Sequence, residues 1–335
     1  MRCPNQNQSL RSTLLLLSSS LIVPTLALSI PTPIFTLPGP LQPASWFENL
    51  AVRPNGKILA TRGDAPEIWQ IDPATNTGAL LVTVTGAFNL TGIAEAKLAC
   101  RPQYYFSTCP ETYIFSSSHI PAPLQVTPGS AKVWTLQIPT AGAPSVSLLA
   151  AMPSAGFLNG VAAWGTGRVL LSDTEAEAVY LMDVATGAYT TPLAGMTGIN
   201  GIKAAKAAGY IYRADHLSST LSRIPVDGDA VATGPAEILA VNQSVDDFAI
   251  AVDGAGQGKA YLGAMYENKV VEVTIAAAPS SGPGVQTDVA TNLSGTGSGI
   301  VTVVAFGRRP ADSGLLYAAV GQGGGNAAIV SLDPN

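Results

Sequence analysis

Two carboxylates and two carboxamides stand at matching places in this chain. They are Glu48 in ENLAVRPNGKILATR, Asn159 in NGVAAWGTGRVLLSD, Asn200 in NGIKAAKAAGYIYRAD and Asp246 in DDFAIAVDGAGQGKAYLGA. Each opens a short apolar stretch, followed by a turn and a second apolar stretch. Carboxylate and amide oxygens are hard ligands, suited to Ca²⁺, Mg²⁺ or Mn²⁺. A carboxyl buried beside another becomes a proton donor near neutral pH. The competing reading is local: Asn and Asp before a strand bond their own backbone and start turns. The two readings part on whether the four units meet in space.

The units belong to a repeat. TGIAEAKLACRPQYYFS from Thr91 and GIVTVVAFGRRPADSGLLYAAVG from Gly299 share the frame of the four above. In the clearest copies a third strand follows, as in EIWQIDP, AVYLMDV, TLSRIPV and KVVEVTI. Most starts lie roughly 40 to 55 residues apart, the length of a four-stranded propeller blade. The second interval is longer, and about 100–130 reads as a loop inserted in the second blade. With 34 Gly, 25 Pro and few amphipathic helical periods, the pattern predicts an all-β, six-bladed β-propeller with four-stranded blades. A solenoid or a pair of β-sandwiches is the alternative. The stretch from Pro33 to Leu37 is expected to supply the strand that closes the ring with the last blade. In that architecture the first positions of the inner strands lie near the mouth of the central channel, so Glu48, Asn159, Asn200 and Asp246 converge.

The rest of the sequence narrows the setting. Only 12% of the 335 residues are charged, the formal net charge is −5, and no stretch clusters Lys and Arg, so a nucleic-acid partner is not expected. Residues 1–29 place Arg2 and Arg11 before an apolar run ending Ala27-Leu28-Ser29, a signal-peptide pattern with a signal anchor as its competitor. The domain then spans 30–335 in or beyond the secretory pathway, secreted or held in a vesicular or vacuolar lumen, with no transmembrane segment. Cys100 and Cys109, in CRPQYYFSTC, are close enough to form a disulfide there, or stay as two buried thiols. Asn89, Asn242 and Asn292 head sequons for glycosylation. The chain shows no Ser-His-Asp arrangement, phosphate-binding loop, HExxH or clustered Cys/His set. GQGGGN, Gly321 to Asn326, reads as a turn between outer strands of blade six.

Written in this frame, the chain resembles the senescence-marker-protein/gluconolactonase family of six-bladed propellers, above all at NGVAAWGTGRVLLSDTEAEAVYLMDV. The resemblance implies a divalent cation held by a glutamate, asparagines and an aspartate at blade starts, here Glu48, Asn159, Asn200 and Asp246. Two departures bear on it: Asp247 follows Asp246 where the family has Gly, and Asn49-Leu50 follows Glu48 where it tends to have Gly-Pro. Only His119 and His216 are present, neither in a motif like that of relatives with a calcium-dependent histidine pair. His216 reads as a polar contact at the mouth or as a surface-loop residue.

Within the family, WFENLAVRPNGKILATR and DDFAI resemble secreted-type fungal members, some of which look like hetero-Diels-Alderases of meroterpenoid biosynthesis. That likeness implies union of a tropolone-type o-quinone methide with a humulene-type sesquiterpene by [4+2] cycloaddition, a reaction that needs both apolar partners held face to face and no required cofactor. Trp46, Phe47, Phe157, Trp164 and Tyr212 are the candidate walls, with core packing as their other role. Glu48 or Asp246 would protonate the leaving oxygen, and the amides of Asn159 and Asn200 would bond the tropolone oxygens. A metal-dependent lactonase or esterase is the alternative: the same four residues hold a cation that polarises a lactone carbonyl and lowers the pKa of attacking water. A non-catalytic secreted binding propeller is the third reading.

Overall fold

The structure is a computed structural model describing residues 28–39, 45–98, 110–121, 125–280, 282–295, 299–321 and 326–334. Strand β1 (Thr32–Thr36) precedes the blades. Blade one holds β2–β5 (Phe47–Val52, Ile58–Arg62, Glu67–Asp72, Thr77–Thr83), and blade two β6–β9 (Asn89–Glu95, Glu111–Ser118, Lys132–Ile138, Ser145–Ala151). Blade three holds β10–β13 (Leu158–Ala163, Arg168–Asp173, Ala178–Asp183, Tyr189–Ala194). Blade four holds β14–β17 (Ile199–Ala205, Tyr210–Asp215, Thr220–Pro225, Glu237–Ala240), with a 3-10 turn at Lys206–Ala208. Blade five holds β18–β21 (Val245–Val252, Gly258–Ala264, Lys269–Ile275, Gln286–Thr291), and blade six β22–β24 (Ile300–Phe306, Leu316–Gly321, Ala328–Leu332).

Five blades are antiparallel meanders in chain order, and the sixth has the order β1-β24-β23-β22. The six-bladed propeller expected from the repeat is therefore the fold. The ring closes through Thr32–Thr36, which pairs with β24 from Thr32 opposite Ser331 to Thr36 opposite Ala328. The outer strands expose alternate residues, as in TGALLVT of β5, because one face of each meets solvent. Inner and middle strands are apolar on both faces because neighbouring blades cover them, as in the five-residue buried run VLLSD of β11. Six apolar clusters fill the six gaps between blades.

Two boundaries differ from expectation. The second strand of blade two is Glu111–Ser118, inside the span read as an inserted loop. Its TYIFSS core packs between blades, which a loop could not do without unpaired backbone. Cys100 and Cys109 lie outside the described residues. In blade six the inner strand begins at Ile300 and bulges after Val301, two residues beyond the expected start at Gly299.

Every inner strand carries the same irregularity at its start. The register slips at Phe47/Asn49, Leu90/Ile93, Leu158/Val161, Ile199/Ile202, Val245/Phe248 and Val301/Val303. Between two apolar anchors each blade thus inserts a bulged pair: Glu48-Asn49, Thr91-Gly92, Asn159-Gly160, Asn200-Gly201, Asp246-Asp247 and Val301-Thr302. The glycines of three pairs answer to space. A Cβ on Gly92 would meet the Asn159 carbonyl oxygen at 2.4 Å, and one on Gly201 would meet the Asp246 carbonyl oxygen at 2.6 Å. The next blade's backbone occupies the place of a side chain.

Hydroxyls lock the bulges. Thr61 Oγ1 accepts from the Asn49 amide (3.1 Å) and donates to the Thr91 carbonyl of the next blade (2.7 Å). Ser172 Oγ accepts from the Gly160 amide (2.8 Å) and donates to the Asn200 carbonyl (2.6 Å). Blade six reaches blade one through Thr302 Oγ1, which donates to the Phe47 carbonyl at 2.6 Å. Gly201→Ala should therefore cost about 1–3 kcal/mol by overpacking. Gly228→Ala, with open space around the new methyl, should stay within about 0.5 kcal/mol. Urea unfolding of the two variants checks the contrast, and equal effects would remove the glycine argument.

Candidate functional site

The first residue of each bulged pair sits at the same end of the channel, and the six form its mouth: Glu48, Thr91, Asn159, Asn200, Asp246 and Val301. Thr91 is committed to packing, its hydroxyl bonded to the Leu158 carbonyl and to Ser116 Oγ, each at 2.8 Å. Val301 is apolar. The four polar positions that remain are the four singled out in the sequence.

The electrostatics bring three of them together, Glu48, Asn200 and Asp246. Asp246 lies beside Glu48 across the gap left by Val301, and the Glu48 carboxyl raises the proton affinity of Asp246. Burial pushes Asp246 well above the usual carboxylate range, the charges of Glu48 and Asp247 add to the shift, and a hydrogen bond from the Asn200 side chain and the charge of Lys203 oppose it. Glu48 rises to about 7, first because it is desolvated, with Trp46 opposing and Asp247 reinforcing the shift. Trp46 Nε1 donates to Glu48 Oε2 at 2.5 Å. The Asn200 side-chain oxygen is buried and has no hydrogen-bond partner, while Asn159 makes one long contact from Nδ2 to Thr174 Oγ1 at 3.4 Å. Asn159, Asn200 and Asp246 are each 6–7% exposed. Buried amides of this kind normally have their polar atoms paired.

A second layer lies one residue further along the channel. Asp247 stands where three other blades have glycine, and its carboxylate is held from several sides: both oxygens by Lys203 Nζ at 2.6 Å, Oδ2 by Asn49 Nδ2 at 2.7 Å and Oδ1 by the Phe248 amide at 2.7 Å. This cluster joins blades one, four and five across the axis. Sequence reasoning noted Asn49 and Asp247 as departures from glycine and passed over Lys203. The signal was available, because Lys203 is the one charge in the inner strand INGIKAA. Its pairing with Asp247 was not, since the two residues come from different repeats.

The loops leading into two of the inner strands are pinned by acids at or just after the end of the second strand. Asp173 accepts from the amides of Gly156 (2.8 Å) and Phe157 (2.9 Å), which sets Phe157 half-buried just before Asn159. Asp64 accepts from the Trp46 amide at 3.4 Å. His216, partly buried in the turn after β15, has Nδ1 2.9 Å from the Gly198 carbonyl; a carbonyl only accepts, so Nδ1 carries the proton. Trp46, Phe157 and His216 thus stand on the mouth side.

Three expected wall residues do not. Phe47 is fully buried in the gap between blades six and one, against Phe35. Trp164 follows the far end of β10, fully buried between blades three and four, with Nε1 donating to the Gly228 carbonyl at 3.0 Å. Tyr212 is fully buried between blades four and five, its hydroxyl on the Gly256 carbonyl at 3.2 Å. Aromatic area of this size is driven into the gaps between blades, where it meets apolar neighbours on both sides. Of the sequon asparagines, Asn242 and Asn292 are exposed. Asn89 is engaged, donating from Nδ2 to the Gly63 carbonyl at 2.7 Å and accepting from the Ile120 amide at 2.9 Å.

Among the described residues no three His, Cys, Asp or Glu side chains cluster closely enough to hold an ion. A cation at the mouth would therefore need the amide oxygens as well as the two carboxylates. The orphaned Asn200 oxygen beside two carboxyls of raised proton affinity fits that need.

No family model matches the sequence, and no curated protein matches it. Solved structures do. The chain is similar to a luciferin-regenerating enzyme (12% identity, TM-score 0.63, covering 91% of this chain and 95% of that one). It is similar also to a calcium-binding protein, regucalcin, from Agrobacterium tumefaciens (15%, TM-score 0.59, 91% and 95%). The aldose sugar dehydrogenase of Streptomyces coelicolor, solved with bound PQQ, is a third (14%, TM-score 0.56, 91% and 98%). At these identities the likeness shows the fold alone, a β-propeller.

Proposed function

We propose that the chain is an enzyme acting on an oxygen-bearing small molecule at the channel mouth, and that hydrolysis of a lactone or ester with a divalent cation is the reaction its groups suit best. The carrying observation is the proximity of Glu48 and the Asn200 side chain to Asp246 at the mouth, with the Asn200 oxygen left unpartnered. Glu48, Asn200 and Asp246, with Asn159, would hold the cation. Ca²⁺, Mg²⁺ or Mn²⁺ bound there supplies Lewis acidity toward a carbonyl oxygen and acidifies water. The residues themselves do the rest. Trp46 fixes one oxygen of Glu48, Asn159 offers a weakly engaged amide to an incoming oxygen, and the Asp247–Lys203 pair closes the floor with its charges matched.

Protons and cation compete for the same carboxyls. Because the folded pKa of Glu48 lies above its ordinary value of 4.5, the folded chain binds more protons than the unfolded one between about 4.5 and 7. Without added metal, stability should thus fall as pH rises through that window and stay reduced above it. Glu48→Gln and Asp246→Asn should each flatten the slope and raise the melting temperature at pH 7.5. Millimolar Ca²⁺ or Mn²⁺ should restore stability to the parent chain and not to the variants. A melting temperature that ignores both pH and cation would sink the site.

A second reading draws on the acidity itself. A carboxyl that titrates near 7 is a proton donor at neutral pH, and with Trp46 and Phe157 beside it the mouth suits acid-promoted loss of water from a hydroxymethyl tropolone and capture of the o-quinone methide by a humulene-type alkene. This hetero-Diels-Alderase reading is supported by the likeness of WFENLAVRPNGKILATR and DDFAI to fungal members. The two readings separate by assay. On a lactone panel, hydrolysis that chelation abolishes and Asp246→Asn lowers at least about a hundredfold supports the hydrolase. Faster formation of one enantiomeric adduct from the tropolone and alkene, insensitive to chelator and reduced at least about tenfold in Glu48→Gln, supports the cycloaddition. Silence in both assays overturns both.

A further inference from the structure

The channel has a second opening. Past the layer of Asp247, Lys203 and Asn49, the later halves of all six inner strands line, among the described residues, an open hollow of about 330 Å³. Its walls are short: Ala51, Ala94, Ala162, Ala163, Ala204, Ala249 and Ala305 alternate with Val and Ile. Lys203 comes up from the floor, and Phe306, Glu95 and Arg308 border it, the last two paired through Arg308 Nη1 and Glu95 Oε2 at 2.6 Å. The mouth residues Glu48, Asn159, Asn200 and Asp246 do not line it.

Two features point to a ligand. First, larger aliphatic side chains on six converging strands would have narrowed this space, whereas the alanines leave a hollow walled mostly by apolar side chains. Ligand pockets begin at about this size. Second, the floor offers a defined donor. The Lys203 ammonium has three hydrogens; Asp247 takes both of its short contacts with them, and the Lys203 side chain stays about a quarter exposed. Asp247 already matches its charge, so a further carboxylate would add an uncompensated negative charge next to a buried one. A neutral acceptor oxygen adds none.

We propose that this far-side cavity is a second small-molecule site, distinct from the mouth, that takes a slender unbranched aliphatic alcohol or ketone with its oxygen toward Lys203 and its chain along the alanine walls. The proposal does not depend on what reaction the mouth performs.

The test is a titration of the full-length protein with 1-butanol, 1-hexanol, 1-octanol and octanoate, followed by alanine-methyl NMR. Saturable shifts should appear at alanines of the far-side walls. Affinity should rise about fourfold per added methylene until the cavity is full, from ~0.8 kcal/mol per buried methylene, and octanoate should bind more weakly than 1-octanol. The double variant Ala163→Leu/Ala204→Leu, checked for an unchanged thermal transition, should abolish the shifts and leave mouth activity and cation response as they were. Shifts that never saturate, that persist in a folded double variant, or that favour octanoate overturn the proposal. Should the double variant not fold, Ala94→Leu from another wall serves the same comparison.

Discussion

Six strands cannot converge on one axis without their backbones touching, and that steric limit organises this propeller. Each inner strand enters with a bulged pair whose second member lies against the next blade's main chain. In blades two, three and four that member is glycine because a Cβ would overlap a neighbouring backbone atom. The first member, turned the other way by the bulge, is free to be chosen for chemistry. Structure and function thus divide a dipeptide between them, which is why Asn precedes Gly in NGVAA and NGIKAA.

Where glycine is absent, something must occupy the axis. Asn49 and Asp247 each bond the amide of the residue that follows, Leu50 and Phe248, and then each other. A buried carboxylate alone would be strongly unfavourable, so Lys203 from blade four completes the cluster. The result is a charge-matched partition. On one side lie the Glu48 and Asp246 carboxyls, with Trp46 on the first and the Asn200 side chain on the second; on the other lies an alanine-walled hollow.

The asymmetry between the carboxyls matters more than their number. Asp247 is surrounded by donors, whereas Glu48 and Asp246 are desolvated, and beside Asp246 the Asn200 side chain keeps an unpaired oxygen. A proton or a divalent cation resolves the same imbalance. That equivalence is the physical reason why acid-promoted and cation-dependent chemistry remain neighbouring proposals at one site.

The sequence by itself determined the repeat, the strand pattern within blades and the four polar residues at blade starts. All of these are local: they depend on hydrophobic alternation, turn residues and a recurring dipeptide, each visible within one unit. The register of blade six and the second strand of blade two were misplaced because Gly299 imitates a start and because the long interval hides TYIFSS. Tertiary structure alone decided which aromatics face the mouth. Phe47, Trp164 and Tyr212 sit as near to blade starts or strand ends as Trp46 and Phe157, yet the gaps between blades claim them. It also decided that Lys203 neutralises Asp247, that Asn200 keeps an oxygen unpaired, and that the channel has two compartments. Those facts rest on contacts between repeats, and periodicity within a repeat carries no information about which side chain of the next one it will meet.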